Sequence, residues 1–102
     1  RKGCTVKNSI IFSGTYIDEN TNLDTMIIDK GVYVGKNSIL GYGDDFSANH
    51  EKPDLLSRGI SVIGKKAILP DGSIVGRNVR IFGRVKLHDG NKFVHSGETI
   101  KG

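Results

Sequence analysis

The side chains able to do chemistry are three histidines, one cysteine, an adjacent aspartate pair and a scatter of basic residues late in the chain. A histidine acting as general base needs a carboxylate or a nucleophile beside it. His50 has Glu51 and Asp54 as its nearest carboxylates in sequence, and no local pattern marks a triad. His88 and His95 lack metal-ligand spacing with it, and Cys4 is remote, so no zinc site is expected. Asp44-Asp45 beside Gly43 has the donor chemistry of a divalent-cation site and equally that of a solvated turn. Gly41-Tyr42-Gly43 opens like a glycine-rich loop, but nothing suggests a helix after it. There is no P-loop, serine elbow or dinucleotide fingerprint. These readings assign no catalytic, cofactor-binding or metal-ligating residue.

The basic residues suggest one binding chemistry. Lys66, Arg77, Arg80 and Arg84, with Lys65 and Lys86 beside them, are candidates for contacting a small phosphorylated ligand, because guanidinium and ammonium groups suit phosphate oxygens. A solvated basic surface is the competing reading. Residues 1–56 carry six Lys/Arg against eight Asp/Glu, and residues 57–102 carry nine against three, so the net charge of +4 comes from the second half. The cations stand singly apart from Lys65-Lys66, without interleaved aromatics, so nucleic acid is not an expected partner.

Composition bounds the scaffold that must hold these groups. A chain of 102 residues with 36% hydrophobic and 25% charged residues builds one small packed domain. No apolar run approaches the roughly 20 residues of a membrane-spanning helix. A single cysteine forms no internal disulfide and suits a reducing cytoplasm. The 14 glycines point to many turns, and the start at Arg1 reads as a piece of a longer chain.

A repeat organises the turns. Ile63, Leu69, Val75, Ile81 and Leu87 recur every six residues, and Phe93 keeps the step. Ile28, Val34 and Leu40 form a second run, and Ile11, Ile17 and Leu23 a third, with one five-residue step between Leu23 and Ile28. A period of six smears around a helix but is a multiple of the strand period of two. The residues two before each anchor then face inward as well. They are Met26, Val32, Ser38, Ser61, Ala67, Ser73, Val79 and Val85, all small or apolar. Ala67 is expected to tolerate nothing larger. Between anchors stand corner residues such as Gly35-Lys36-Asn37, Pro70-Asp71-Gly72 and Gly76-Arg77-Asn78. Three hexads close a triangle of about 18 residues, and stacked triangles make a parallel β-helix. The expected fold is all-β: a left-handed parallel β-helix of hexapeptide repeats with about four coils, spanning 1–102. Residues 18 apart stack, which places Lys66 and Arg84 at one corner.

Leu40 and Ile63 are 23 residues apart, one hexad plus 17. The polar, off-register stretch 42–59 is therefore expected as an extruded loop, with a short helical turn from Pro53 to Gly59. It reads either as a contact element or as a mobile insertion. Ile10, Ile27, Ile39, Ile68 and Ile74 flank the anchors, so alternation turns them outward. They suggest one sheet face that packs on another surface, or that the loop covers.

Three segments, Asn8–Asp18, Ile27–Asp45 and Leu55–Val79, with the Gly-Lys-x-Ala-x-x-Pro-Asp-Gly corner at 64–72, carry a family resemblance. In their order around the loop they resemble the C-terminal domain of bacterial glucose-1-phosphate adenylyltransferase, from about Val6 to Gly97. The resemblance implies a parent enzyme that makes ADP-glucose from ATP and glucose 1-phosphate, with Mg²⁺, for glycogen synthesis. It implies that catalysis belongs to a separate N-terminal domain of the same polypeptide, whose signature has no counterpart here, so no catalytic residue carries over. For this domain it implies packing on that catalytic domain, homo-oligomer formation and a share in control by small phosphorylated metabolites. The tail Phe93–Gly102 matches no effector motif. A hexapeptide acyltransferase, or the β-helix of another sugar nucleotidyltransferase, is the alternative reading.

Overall fold

The computed structural model describes residues 3–51, 54, 58–88, 90 and 92–101. Its strands are short and all pair in parallel. They are β1 (Thr5–Lys7), β2 (Ile10–Ile11), β3 (Tyr16–Ile17), β4 (Asn22–Asp24), β5 (Met26–Ile28), β6 (Tyr33–Val34), β7 (Ile39–Leu40), β8 (Ser61–Ile63), β9 (Ile68–Leu69), β10 (Ile74–Val75), β11 (Arg80–Phe82), β12 (Phe93–Val94) and β13 (Thr99–Lys101). Every third strand stacks on the last. The first sheet is β1-β4-β7-β10-β12, the second β2-β5-β8-β11-β13 and the third β3-β6-β9, extended by a bridge from Ile68 to Lys86. Among the described residues there is no helix. The coil is the three-sided parallel β-helix that the hexads require, with four turns and two sides of a fifth.

Alternation explains the core. Ile63, Leu69, Val75 and Ile81 are fully buried, and so are Ala67, Ser73 and Val79 two positions before the later anchors. Ile28, Val34, Leu40, Leu23 and Leu87 complete the aliphatic column. β-branched residues dominate because a branched side chain packs well against the pleated strand above and below it. The inward serines keep their hydroxyls satisfied. The Ser61 hydroxyl donates to the Gly76 carbonyl at 2.8 Å and accepts from the Val79 N–H at 3.0 Å. The Thr21 and Ser38 hydroxyls donate to the Gly35 carbonyl at 3.1 and 2.8 Å. Cys4 stands at the equivalent place in the first coil, its thiol 3.0 Å from the Asp18 carbonyl, which makes it a member of this column.

Most corners turn through one left-handed residue. Between the third and first sheets these are Gly3, Asn20, Asn37 and Gly72; between the first and second, Asn8, Thr25, Asn78 and Gly97. Asparagine tolerates that conformation better than most side chains, and glycine has no Cβ to clash. The register also absorbs irregular spacing. Ile11 pairs with Ile28, 17 residues on; Ile81 pairs with Ile63, 18 back, and with Ile100, 19 ahead. The five-residue step after Leu23 is taken at Thr25 (φ 59°).

Two expectations are corrected here. Phe93 does not keep the inward step. Val94 is the buried residue and pairs with Val75, while Phe93 is 49% exposed, because the corner after Leu87 is one residue longer than a hexad allows. The outward isoleucines do not share one face either. Ile39 and Ile74 stack on the first sheet, Ile10 and Ile27 on the second, and Ile68 on the third above Tyr33. Spacing in sequence had to be resolved into which side of the triangle each hexad occupies, and consecutive hexads lie on different sides. Ile11 faces inward, pairs with Ile28 and is 37% exposed.

Candidate functional site

The stretch between β7 and β8 leaves the coil through Gly41 and Gly43, both left-handed (φ 84° and 80°). A Cβ on Gly41 would collide with the Asp24 carbonyl oxygen, so only glycine makes this exit. Beyond it the chain is fastened to the corner between the first and second sheets by two buried asparagines. The Asn78 side chain donates to the Phe46 and Ser47 carbonyls at 3.1 and 3.0 Å, and accepts from the Gly59 N–H at 2.8 Å. The Asn49 side chain donates to the Asn78 and Glu98 carbonyls at 3.0 and 3.2 Å. The described part of the loop is thus held at this corner. The helical turn expected from Pro53 lies largely outside the described residues.

Arg77 holds the same junction. Its Nε donates to the Gly43 carbonyl at 2.9 Å, its Nη2 to Asp24 Oδ2 at 3.1 Å, and its guanidinium lies 4.9 Å from the centre of the Phe46 ring. Asp24 also accepts from the Thr25 hydroxyl at 2.9 Å. The Thr25 bond foremost, then the Arg77 bond and charge and the Lys7 charge, hold its carboxyl below the usual aspartate range, against the opposing pull of burial. A depressed carboxyl adds stability above the unfolded-state value, near pH 3.9, that is lost as pH falls through the folded value. Thermal melts of the chain between about pH 5 and pH 2 are expected to show an acid loss that Asp24→Asn reduces.

Lys66 and Arg84 come together at the corner between the second and third sheets. With Lys30, Gly31 and Lys65 they line an open basic cleft of about 370 Å³. Both are left-handed (φ 58° and 60°), in a column whose lower members are Gly14 and Gly31. A non-glycine residue in that conformation costs roughly 1–2 kcal/mol, so the chain carries two strained cations where glycine serves in the coils below. Arg80 does not join them. It projects from the second sheet, its guanidinium 4.1 Å from the Phe82 ring centre. Of the four basic candidates, Lys66 and Arg84 share a cleft, Arg80 stacks on its own face and Arg77 fastens the loop. Lys30 completes the cleft: it lies one coil below Lys65, at the 35-residue offset that the insertion gives this side, and no charge pattern marks it in the sequence.

The histidines stay apart. The His50 N–H donates to the Gly97 carbonyl at 2.8 Å and its ring packs against Gly97, with no hydrogen bond from the ring to a carboxylate among the described residues. His88 and His95 are exposed, and His95 stacks on Phe93. No group of three or more metal-ligating side chains occurs among the described residues.

A family model described as "GlmU-like, C-terminal hexapeptide" matches residues 1–63. The chain belongs to this hexapeptide family. Its coil is accordingly the left-handed parallel β-helix. The chain is also similar to proteins named glucose-1-phosphate adenylyltransferase. It is 41% identical to that of Thermomicrobium roseum over 95 residues, covering 92% of this chain and 22% of the relative. Against that of Acetivibrio thermocellus it is 36% identical over 106 residues, covering 96% and 25%. Against that of Pseudothermotoga lettingae it is 31% identical over 113 residues, covering 93% and 27%. The chain thus spans about a quarter of the length of these relatives. No solved structure gives a significant match. No helix among the described residues is long and apolar enough to cross a membrane.

Proposed function

We propose that this chain is the C-terminal, non-catalytic β-helix domain of a cytoplasmic glucose-1-phosphate adenylyltransferase, the enzyme that joins ATP and glucose 1-phosphate into ADP-glucose for glycogen synthesis. The observation that carries the reading is the match of 92–96% of this chain to about a quarter of each named relative. In this reading Mg²⁺, ATP and glucose 1-phosphate bind a catalytic domain on the same polypeptide, and the β-helix packs on that domain and on further copies of itself. Lys66 and Arg84, helped by Lys30, face a small phosphorylated effector across their cleft. Two cations kept at strained corners support that role. Arg77 and Arg80 then contribute through the loop junction and the second sheet rather than from the cleft itself.

The purified chain is expected to make no ADP-glucose above a no-enzyme blank when given ATP, glucose 1-phosphate and Mg²⁺. Formation above the blank, in material free of any full-length enzyme, overturns the non-catalytic reading. Light scattering tests assembly on the same sample, where a strict monomer at 11.1 kDa rules out self-association of the isolated β-helix.

A further inference from the structure

Two clefts meet at Tyr42 on the outer side of the first sheet. One, of about 220 Å³, lies between Tyr42, Asp44, Asp45, Phe93 and His95. The other, of about 460 Å³, continues past Tyr42 along Thr5, Asn22 and Ile39, with Lys7 and the Asp24–Arg77 ion pair on its wall. Neither contains Lys66, Arg84 or another residue of the basic cleft. Tyr42 and Phe93 are each about half exposed, their ring centres 6.3 Å apart at 86°. His95 stacks on Phe93 at 4.5 Å and widens the aromatic surface. The corner that misplaced Phe93 relative to the hexad register is what turns this ring outward beside Tyr42.

Unused acceptors border the rings. Asp45 receives both Ser47 hydrogen bonds on Oδ1, leaving Oδ2 open. The Ser47 hydroxyl foremost, with the Ser47 N–H and the His50 charge, keeps Asp45 below the usual aspartate range, so it is ionised at neutral pH. Asp44 is exposed beside it.

We propose that this groove binds a neutral oligosaccharide of pyranose units. A pyranose has a flat face of C–H groups and a rim of hydroxyls. The electron-rich faces of Tyr42 and Phe93 suit the former. The carboxylates of Asp44 and Asp45 accept charge-assisted hydrogen bonds from the latter. Asn22 and Thr5, which both donate and accept, continue the polar edge for a further unit beyond Tyr42. The long run of the two clefts fits an oligomer better than a single sugar. Anionic ligands are disfavoured in the first cleft, where Asp44 and Asp45 repel phosphate, and in the second Arg77 is already paired with Asp24. An organic cation suits the same rings and carboxylates, but it would fill only the first cleft, and a choline probe distinguishes it. The proposal stands apart from the domain assignment, and its failure leaves that assignment untouched.

The test is an NMR titration of the ¹⁵N-labelled chain with maltohexaose and with cellohexaose, using choline and inorganic phosphate as contrasting probes. Saturable shifts at Tyr42, Gly43, Asp44, Phe93 and His95 are expected with at least one oligosaccharide. Tyr42→Ala is expected to weaken binding about tenfold, and Asp44→Asn about fivefold, with thermal midpoints close to that of the unaltered chain. Both substitutions are at exposed positions, so neither threatens folding. The proposal is overturned by any of three results: no saturable shift up to about 10 mM of either sugar, shifts confined to other surfaces, or affinity unchanged in both variants. Choline or phosphate binding in the cleft in place of the sugars overturns it as well.

Discussion

Ile63→Ala is expected to remove about 2–5 kcal/mol of stability. Ile63 is fully buried and pairs with Ile28 below and Ile81 above, both buried as completely. Its side chain is therefore roofed and floored by two others of the same shape. Truncation leaves a void that neither neighbour can fill, because each is held by its own strand at the fixed rung spacing. A domain of this size has only about 5–15 kcal/mol of stability in all, so the variant loses a large fraction of it. Urea unfolding followed by circular dichroism measures the change. Ile68→Ala supplies the internal contrast. Ile68 lies five residues on but faces outward at 40% exposure, and its loss is expected to stay under about 1 kcal/mol. Equal losses at the two positions would mean that alternation does not set which side chains face the interior.

Asn78→Ala is expected to cost about 3 kcal/mol and to free the loop from its corner. Two causes act at one residue. Asn78 is fully buried with φ 59°, a conformation that alanine adopts at a cost of roughly 1–2 kcal/mol. Its side chain also satisfies the Gly59 N–H and the Phe46 and Ser47 carbonyls, which become unpaired when it is cut back. Each buried group left unpaired costs on the order of 1–3 kcal/mol, less here because a released loop rehydrates. Limited proteolysis is the direct readout, with faster cleavage within 42–59 expected in the variant. Asn78→Gly separates the causes, since glycine removes the backbone strain but not the lost hydrogen bonds. If the glycine variant resists protease as the unaltered chain does, the hydrogen bonds are not what fastens the loop.

Much of the scaffold was legible from the order of residues. The inward serines and Ala67 were visible as the positions two before each anchor, because strand alternation needs no knowledge of distant partners. The corners were visible as Gly and Asn for the same reason, since φ preference is a property of single residues. The 17 extra residues between Leu40 and Ile63 could be subtracted by counting, and the registers Leu40–Val75 and Ile28–Ile63 confirm the subtraction. Counting failed where a corner changed length, as at Phe93. It also failed for the isoleucines, where a pattern seen along the chain had to be distributed over three sides.

The candidate sites were less legible. Lys66 and Arg84 could be stacked by their 18-residue separation, and Lys30 follows once the 17 inserted residues are subtracted, though no charge pattern marks it. Arg77 reads in sequence as one more corner cation. Its bonds to Asp24 and Gly43, 53 and 34 residues away, give it a different task. The aromatic groove has no signature at all, because Tyr42 and Phe93 come from opposite ends of the inserted loop and the lengthened corner. Sequence alone determined the six-residue period, the inward column and the corners, because each follows from alternation and single-residue backbone preference. Tertiary structure decided where the loop docks, which cations share a cleft and which rings meet, because those contacts run through backbone carbonyls and side chains far apart in the chain, and no local pattern encodes them.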